Sequence, residues 1–95
     1  MNDRQLLEAA ATAAQNGAEW YAPLGMGIDS GGPFPALWRP HTDVGDAARL
    51  MLKLKLRVEY VDDQPCIDGV LQHGMNAEES FCRAVVRAAA ARVTR

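Results

Sequence analysis

Arg39, His41, Asp43 and Asp46 bring a guanidinium, an imidazole and two carboxylates into one short stretch, preceded by Trp38 and divided by Pro40. The stretch from Trp38 to Asp46 is the candidate binding surface, because polar side chains gathered on a strand-to-helix turn are well placed to meet a ligand. The same residues have a plainer structural reading. Trp38 would be core, Pro40 would fix the turn, Thr42 or Asp43 would cap a helix, and Asp46 would sit among its first N–H groups. Asp43 and Asp46 stand three apart on one helical face, but two carboxylates are a sparse oxygen shell, so no metal is expected there.

The other reactive types are scattered. His41, Cys66, His73 and Cys82 are the soft donors, and none of them pair at the short spacings of ordinary zinc sites. Cys82 falls near the start of a helix, where the dipole would lower a thiol pKa, yet no base or orienting partner can be named for it, and packing beside Phe81 is the expectation. No catalytic residue, no metal and no cofactor are therefore assigned. Gly25-Met26-Gly27-Ile28-Asp29-Ser30-Gly31 suggests a dinucleotide fingerprint, but no helix opens after it to receive a phosphate, so it reads as a flexible loop. Arg49, Lys53, Lys55 and Arg57 form one cationic cluster, and Arg83, Arg87, Arg92 and Arg95 form another. Gathered on one side, these would make a basic patch for nucleic acid, although no aromatic stacking platform is interleaved with them.

Composition narrows the classes. The chain has 95 residues, of which 48% are hydrophobic, and the counts of ten Lys+Arg and twelve Asp+Glu leave a net charge of −2. That balance lacks the basic excess a phosphate-backbone binder usually carries, so nucleic acid is not the default partner. No apolar run approaches the roughly 20 residues that crossing a bilayer needs. A start of Met1-Asn2-Asp3-Arg4 leading into an alanine-rich pattern, with unpaired thiols, points to a cytoplasmic protein and no membrane partner. Length alone suits a single domain over residues 1–95.

The elements that must position the turn are readable from period and punctuation. A helix is predicted from about Asp3 to Gln15, capped by Asn2 and Gln5, stopped by Asn16-Gly17, and buried along Leu6, Leu7, Ala10, Ala11, Ala13 and Ala14. Glu19-Trp20-Tyr21 and Ala36-Leu37-Trp38 read as strands joined by a long Gly- and Pro-rich connection, with Ile28 packed back on the sheet. A second helix is expected over 43–53 with Val44, Ala47, Ala48, Met51 and Leu52 inward. A strand over 56–61 follows, with Leu56, Val58 and Tyr60 inward, and pairs as a hairpin with Cys66 to Leu71. The last helix starts at Asn76 with Glu79 as its box partner, carries Phe81, Val85, Ala88, Ala89 and Val93 as one stripe, and ends near Arg92 and Arg95. The string is helix, hairpin, helix, hairpin, helix. It predicts an α+β fold in which helices cover both faces of one four-stranded antiparallel sheet, an α/β/α sandwich.

Three blocks also carry a resemblance. Met1-Asn2-Asp3-Arg4-Gln5-Leu6-Leu7-Glu8-Ala9-Ala10, then Leu37-Trp38-Arg39-Pro40-His41-Thr42-Asp43-Val44-Gly45-Asp46-Ala47-Ala48-Arg49-Leu50, and finally the helix from Glu78 to Ala90 resemble the small phage and prophage proteins grouped as the phage α/β/α sandwich domain. The central block looks like that family's Trp-x-Pro-x-x-Asp-x-Gly-Asp-Ala signature. Lys55 departs from the pattern, standing where a glycine often ends the second helix. The resemblance implies the sandwich fold, a bacterial host and a prophage origin, and leaves the activity open, because most such proteins have no assigned function. The expectation is a non-enzymatic accessory protein that binds a phage or host protein, with a homo-oligomer as a further arrangement. A nucleic-acid-associated protein using the Arg/Lys clusters, or a small ligand- or metal-binding domain at the Trp38 to Asp46 turn, are the alternatives.

Overall fold

Asn2 starts the first helix by the reciprocal bonds its sequence implies. Its side chain accepts from the Gln5 N–H at 2.8 Å while the Gln5 carboxamide accepts from the Asn2 N–H at 3.0 Å. The computed structural model describes residues 2–21, 25–28, 31–32, 35–62, 64–71 and 76–94. Helix α1 (Asp3–Ala14) buries Leu7, Ala10, Ala11 and Ala14. Its stop is Gln15 itself, left-handed at φ 52° and ψ 39°, and not the Asn16-Gly17 pair. Asn16 instead receives the Ala18 N–H on its side chain and turns the chain into the first strand.

Sheet A is a meander of β1 (Glu19–Tyr21), β2 (Gly25–Ile28) and β3 (Ala36–Leu37), in that spatial order. The flexible loop expected around Gly25 and Gly27 is thus, over 25–28, the central strand. Gly25 stands at φ 111°, a conformation that side chains disfavour, and Gly27 stands where the backbone is crowded. A Cβ on Gly27 would lie 2.9 Å from the Pro35 Cβ and 3.2 Å from the Tyr21 ring, so only glycine lets Pro35 close over the strand.

Asp43 caps α2 (Val44–Leu54) by accepting the Asp46 N–H, and Lys55 ends it in the left-handed region at φ 54°. A lysine there carries a backbone penalty of about 1 kcal/mol that glycine would not. The buried side of α2 is Ala47 and Leu50, with Met51 and Leu54 half-buried. Leu52 and Val44, expected inward, face solvent, because the helix turns toward α1 and α3 and never reaches a sheet.

The expected hairpin over 56–71 is a second meander: β4 (Val58–Val61), β5 (Gln64–Ile67) and β6 (Val70–Leu71). Asp68 and Gly69, at φ 52° and 83°, break the predicted strand from Cys66 to Leu71 with the left-handed dipeptide that suits a two-residue hairpin turn. Pro65 and Ile67 are buried beneath α3, whereas β4 is exposed along its whole length. Tyr60 was expected inward and is 73% exposed, since α3 covers β5 and β6 but does not reach β4.

Helix α3 (Ala77–Thr94) is the element that the others share. The Asn76 side chain accepts the Glu79 N–H at 2.8 Å, as the cap pattern implies, while the Glu79 carboxylate binds Arg83. α3 packs against α1, α2, β5 and β6, sheet A packs against α1, and the two sheets do not touch among the described residues. The fold is therefore α+β, but its strands form two three-stranded antiparallel sheets and not the single four-stranded sheet that was expected. Helices lie between the sheets, which inverts the predicted sandwich. The single stripe expected on α3 is accordingly too narrow. Cys82, Ala84, Val85, Val86, Ala88, Ala89 and Ala90 are all buried, and Val93 is exposed. Arg92 donates to the Leu54 carbonyl at 2.9 Å and to Asp68 at 3.2 Å, tying the ends of α3, α2 and the β5–β6 turn together. Arg95 and His73 lie outside the described residues.

Gly27→Ala is expected to destabilise the protein by about 1–3 kcal/mol, the usual cost of forcing atoms into a filled site. Urea denaturation monitored by tryptophan fluorescence reads this directly, and an unchanged midpoint would remove the close-approach explanation for the glycine.

Candidate functional site

The segment from Trp38 to Asp46 is locked by its own polar groups. Trp38 donates its N–H to the Met26 carbonyl at 2.9 Å, extending β3, and is itself buried. Pro40 is among the most deeply buried side chains, and the Arg39 carbonyl accepts the N–H groups of Thr42 at 3.1 Å and Asp43 at 2.7 Å. Asp46 then closes the turn. One carboxylate oxygen accepts the Arg39 N–H at 2.9 Å and the other accepts Arg49 at 2.6 Å. Asp43 Oδ2 accepts the Asp46 N–H at 2.9 Å and lies 4.0 Å from Arg49. Both carboxylates are thus committed to backbone N–H groups and one arginine, which suits a structural clasp better than a cation site. No cluster of three or more His, Cys, Asp or Glu with metal-binding geometry occurs among the described residues.

What the turn does open is a cleft. Trp20 pairs with Met26 across β1 and β2, and the Trp38 bond to Met26 continues the row, so Trp20, Met26 and Trp38 share the face of sheet A that looks toward α1. Between this row and the first half of α1 lies a depression of about 540 Å³ whose margin carries Asp3, Arg39 and His41. Met26 and Trp38 form its buried floor, while Trp20 is 36% exposed at its lip. The Arg4 guanidinium stacks over the Trp20 ring at 5.1 Å and is held there by Glu8 at 2.7 Å. The sequence named Trp38, Arg39 and His41 for this region but not Trp20 or Met26. Their partnership depends on β2, which the glycine-rich composition concealed.

His41 is enclosed where the turn meets α1 and α3, beside Asp3, Leu6 and Arg83. Its Nδ1 atom is buried without a hydrogen-bond partner among the described residues. Burial pushes the imidazole pKa below its ordinary value; the Asp3 carboxylate opposes the shift, and the Arg83 and Arg39 guanidiniums add to it. The shift favours the neutral form of the ring. Cys82 sits fully buried in the core, and burial first, then Asp43 and Glu78, push its thiol pKa up, the opposite of what a nucleophile needs. Cys66 is half-buried on the outer face of β5.

The cationic residues do not converge. Arg49 and Lys53 border a depression at the C-terminal end of α1 with Ala14 and Asn16, whereas Arg83 and Arg87 border one at its N-terminal end with Asp3 and Leu6. Several are also neutralised locally, Arg49 by Asp46, Arg57 by Glu59 and Arg83 by Glu79. Lys53, Lys55 and Arg87 are exposed, and Lys55 lies beyond the end of α2 near Arg92. No protein-family model, no curated protein and no solved structure matches this chain, so the resemblance to the phage sandwich proteins rests on the three sequence blocks.

Asp46→Ala removes the acceptor of the Arg39 N–H and releases Arg49, and is expected to cost about 1.5–3 kcal/mol in thermal denaturation, the range for a hydrogen bond to a charged group. His41 supplies a second test. With the native pKa depressed, acidification protonates the unfolded chain first, so stability is complete above the ordinary imidazole value and falls as the pH drops below it toward the lower native value. His41→Phe is expected to flatten the dependence of melting temperature on pH below about 6.5. An identical slope in the variant would remove His41 as its source.

Proposed function

We propose that this protein is a non-enzymatic interaction module, an accessory protein of phage or prophage origin, that binds a protein partner through the cleft between sheet A and α1. The observation that supports this reading is the division of labour at the site. The two carboxylates of the turn, Asp43 and Asp46, are spent on internal bonds, while the cleft combines a buried Met26 and Trp38 floor, a half-exposed Trp20 and the opposite charges of Asp3 and Arg39 at its margin. A tryptophan flanked by a desolvated apolar floor and a polar rim is the usual composition of an interface anchor site. The fitting partner presents an apolar side chain to the tryptophan row and an acidic group to Arg39. The phage origin is supported by the central Trp-x-Pro-x-x-Asp-x-Gly-Asp-Ala pattern, which this chain carries from Trp38 to Ala47.

A photoreactive group placed at Arg39 in bacteria carrying the prophage is expected to cross-link one protein reproducibly. Trp20→Ala and Arg39→Glu should each weaken capture by about tenfold or more, as interface anchors do, with the far-ultraviolet spectrum retained. Capture indifferent to both substitutions would reject the cleft as the docking site. Binding to short oligonucleotides that falls steeply with salt would favour the nucleic-acid reading instead.

A further inference from the structure

β4 has a ladder on one side only, and its sequence is complementary to its own reverse. In sheet B the order β4-β5-β6 leaves β4 at an edge. The Arg57 carbonyl accepts the Asp68 N–H, so Arg57 directs its backbone groups toward β5. Antiparallel ladders alternate, which gives Glu59 and Val61 the same direction and leaves the N–H and C=O of Val58 and Tyr60 pointing away from the sheet. Val58 and Tyr60 share a face with Ile67 and Pro65, their partners in register, yet they are 38% and 73% exposed because α3 stops short of them. Open backbone groups and uncovered apolar side chains therefore coincide on the same strand.

We propose that the protein forms a homodimer by antiparallel pairing of β4 with β4 of a second copy, on a two-fold axis through Val58, which joins the two copies of sheet B into one continuous sheet. The charge pattern selects this register. Centring on Val58 sets Arg57 of each copy opposite Glu59 of the other, at the closely spaced, non-hydrogen-bonded positions where cross-strand side chains interact most. Symmetry makes the pair twice. Val58 meets its own counterpart, and Tyr60 lies over Leu56, whose carbonyl accepts no bond among the described residues although its own N–H is bound to Met51 at 3.0 Å. Neighbouring registers fail on physical grounds. An axis through Glu59 would oppose two carboxylates at a closely spaced, non-hydrogen-bonded position. An axis through Tyr60 would set Val58 against Asp62, which is left-handed at φ 50° and does not continue the strand. Within each copy Arg57 already pairs with Glu59 along the strand, so dimerisation exchanges two solvated pairs, one per copy, for two cross-strand pairs and covers Val58 and Tyr60.

The proposal is independent of the cleft on the other sheet, so either can fail alone. Sedimentation equilibrium of the full chain is expected to show a reversible monomer–dimer equilibrium. Arg57→Glu and Glu59→Arg should each weaken it by about tenfold or more through like-charge opposition, while an equimolar mixture of the two single variants should recover a mixed dimer. Val58→Pro removes an N–H that the β5 ladder does not use, and should abolish dimerisation with the melting temperature nearly unchanged. A wild-type monomer up to about 0.5 mM, a concentration at which even a weak edge pairing would be populated, overturns the proposal. So does a dimer that tolerates Val58→Pro, or a mixture of charge variants that stays monomeric.

Discussion

Close approach to α3 is the constraint on which the rest of this structure depends. The helix is buried on nearly every side by small residues, Ala84, Ala88, Ala89 and Ala90 among them, with Val85, Val86 and Cys82 filling the gaps. α1 meets it with a face that is itself largely alanine, Ala10, Ala11 and Ala14 around Leu7. Small side chains bring helix axes near one another, so the helices make a dense central layer, and each sheet must find its own outer side of that layer. Alanine burial supplies modest area per residue, and the fold correspondingly leans on polar fastenings such as Arg92 with Leu54 and Asp68.

Asp46 is the clearest of those fastenings. It sits in the first turn of α2 and reaches back across Pro40 to the Arg39 N–H, so that the chain leaving β3 enters the helix in one fixed direction. Arg49 screens its remaining oxygen. The two carboxylates that looked reactive in the sequence are therefore consumed in shaping the turn, and the consequence of that shape is the cleft: Trp38 is held down against Met26, and Arg39 and His41 are held at its edge.

The two sheets present different surfaces to solvent for one reason, the reach of the helices beneath them. α1 underlies sheet A and leaves a recess walled by Trp20 and the helix. α3 underlies β5 and β6 and ends its coverage there, so β4 projects as an edge with Val58 and Tyr60 uncovered. One surface is concave with a mixed rim and the other is a strip with a self-matching charge order. These are different surface geometries on one small chain.

Local signals were legible in the sequence because their physics is local. The caps at Asn2, Asp43 and Asn76 satisfy helix N–H groups within three residues, and all three hold in the structure. The helices at Asp3–Ala14, Val44–Leu54 and Ala77–Thr94 follow from the 3.6-residue period, and the turn from Trp38 to Asp46 was marked by Pro40 and its capping carboxylates. The Asp68-Gly69 turn was equally readable in principle, since that dipeptide favours left-handed backbone, but it was absorbed into a longer apolar run. The partition of strands into two sheets was decided only in three dimensions. So were the strand identity of Gly25–Ile28, the exposure of Tyr60 and the meeting of Trp20 with Trp38. Each of these depends on which neighbour a segment packs against, Pro35 over Gly27 or α3 over β5 but not β4, and a pattern of residue types carries no record of where a distant helix ends.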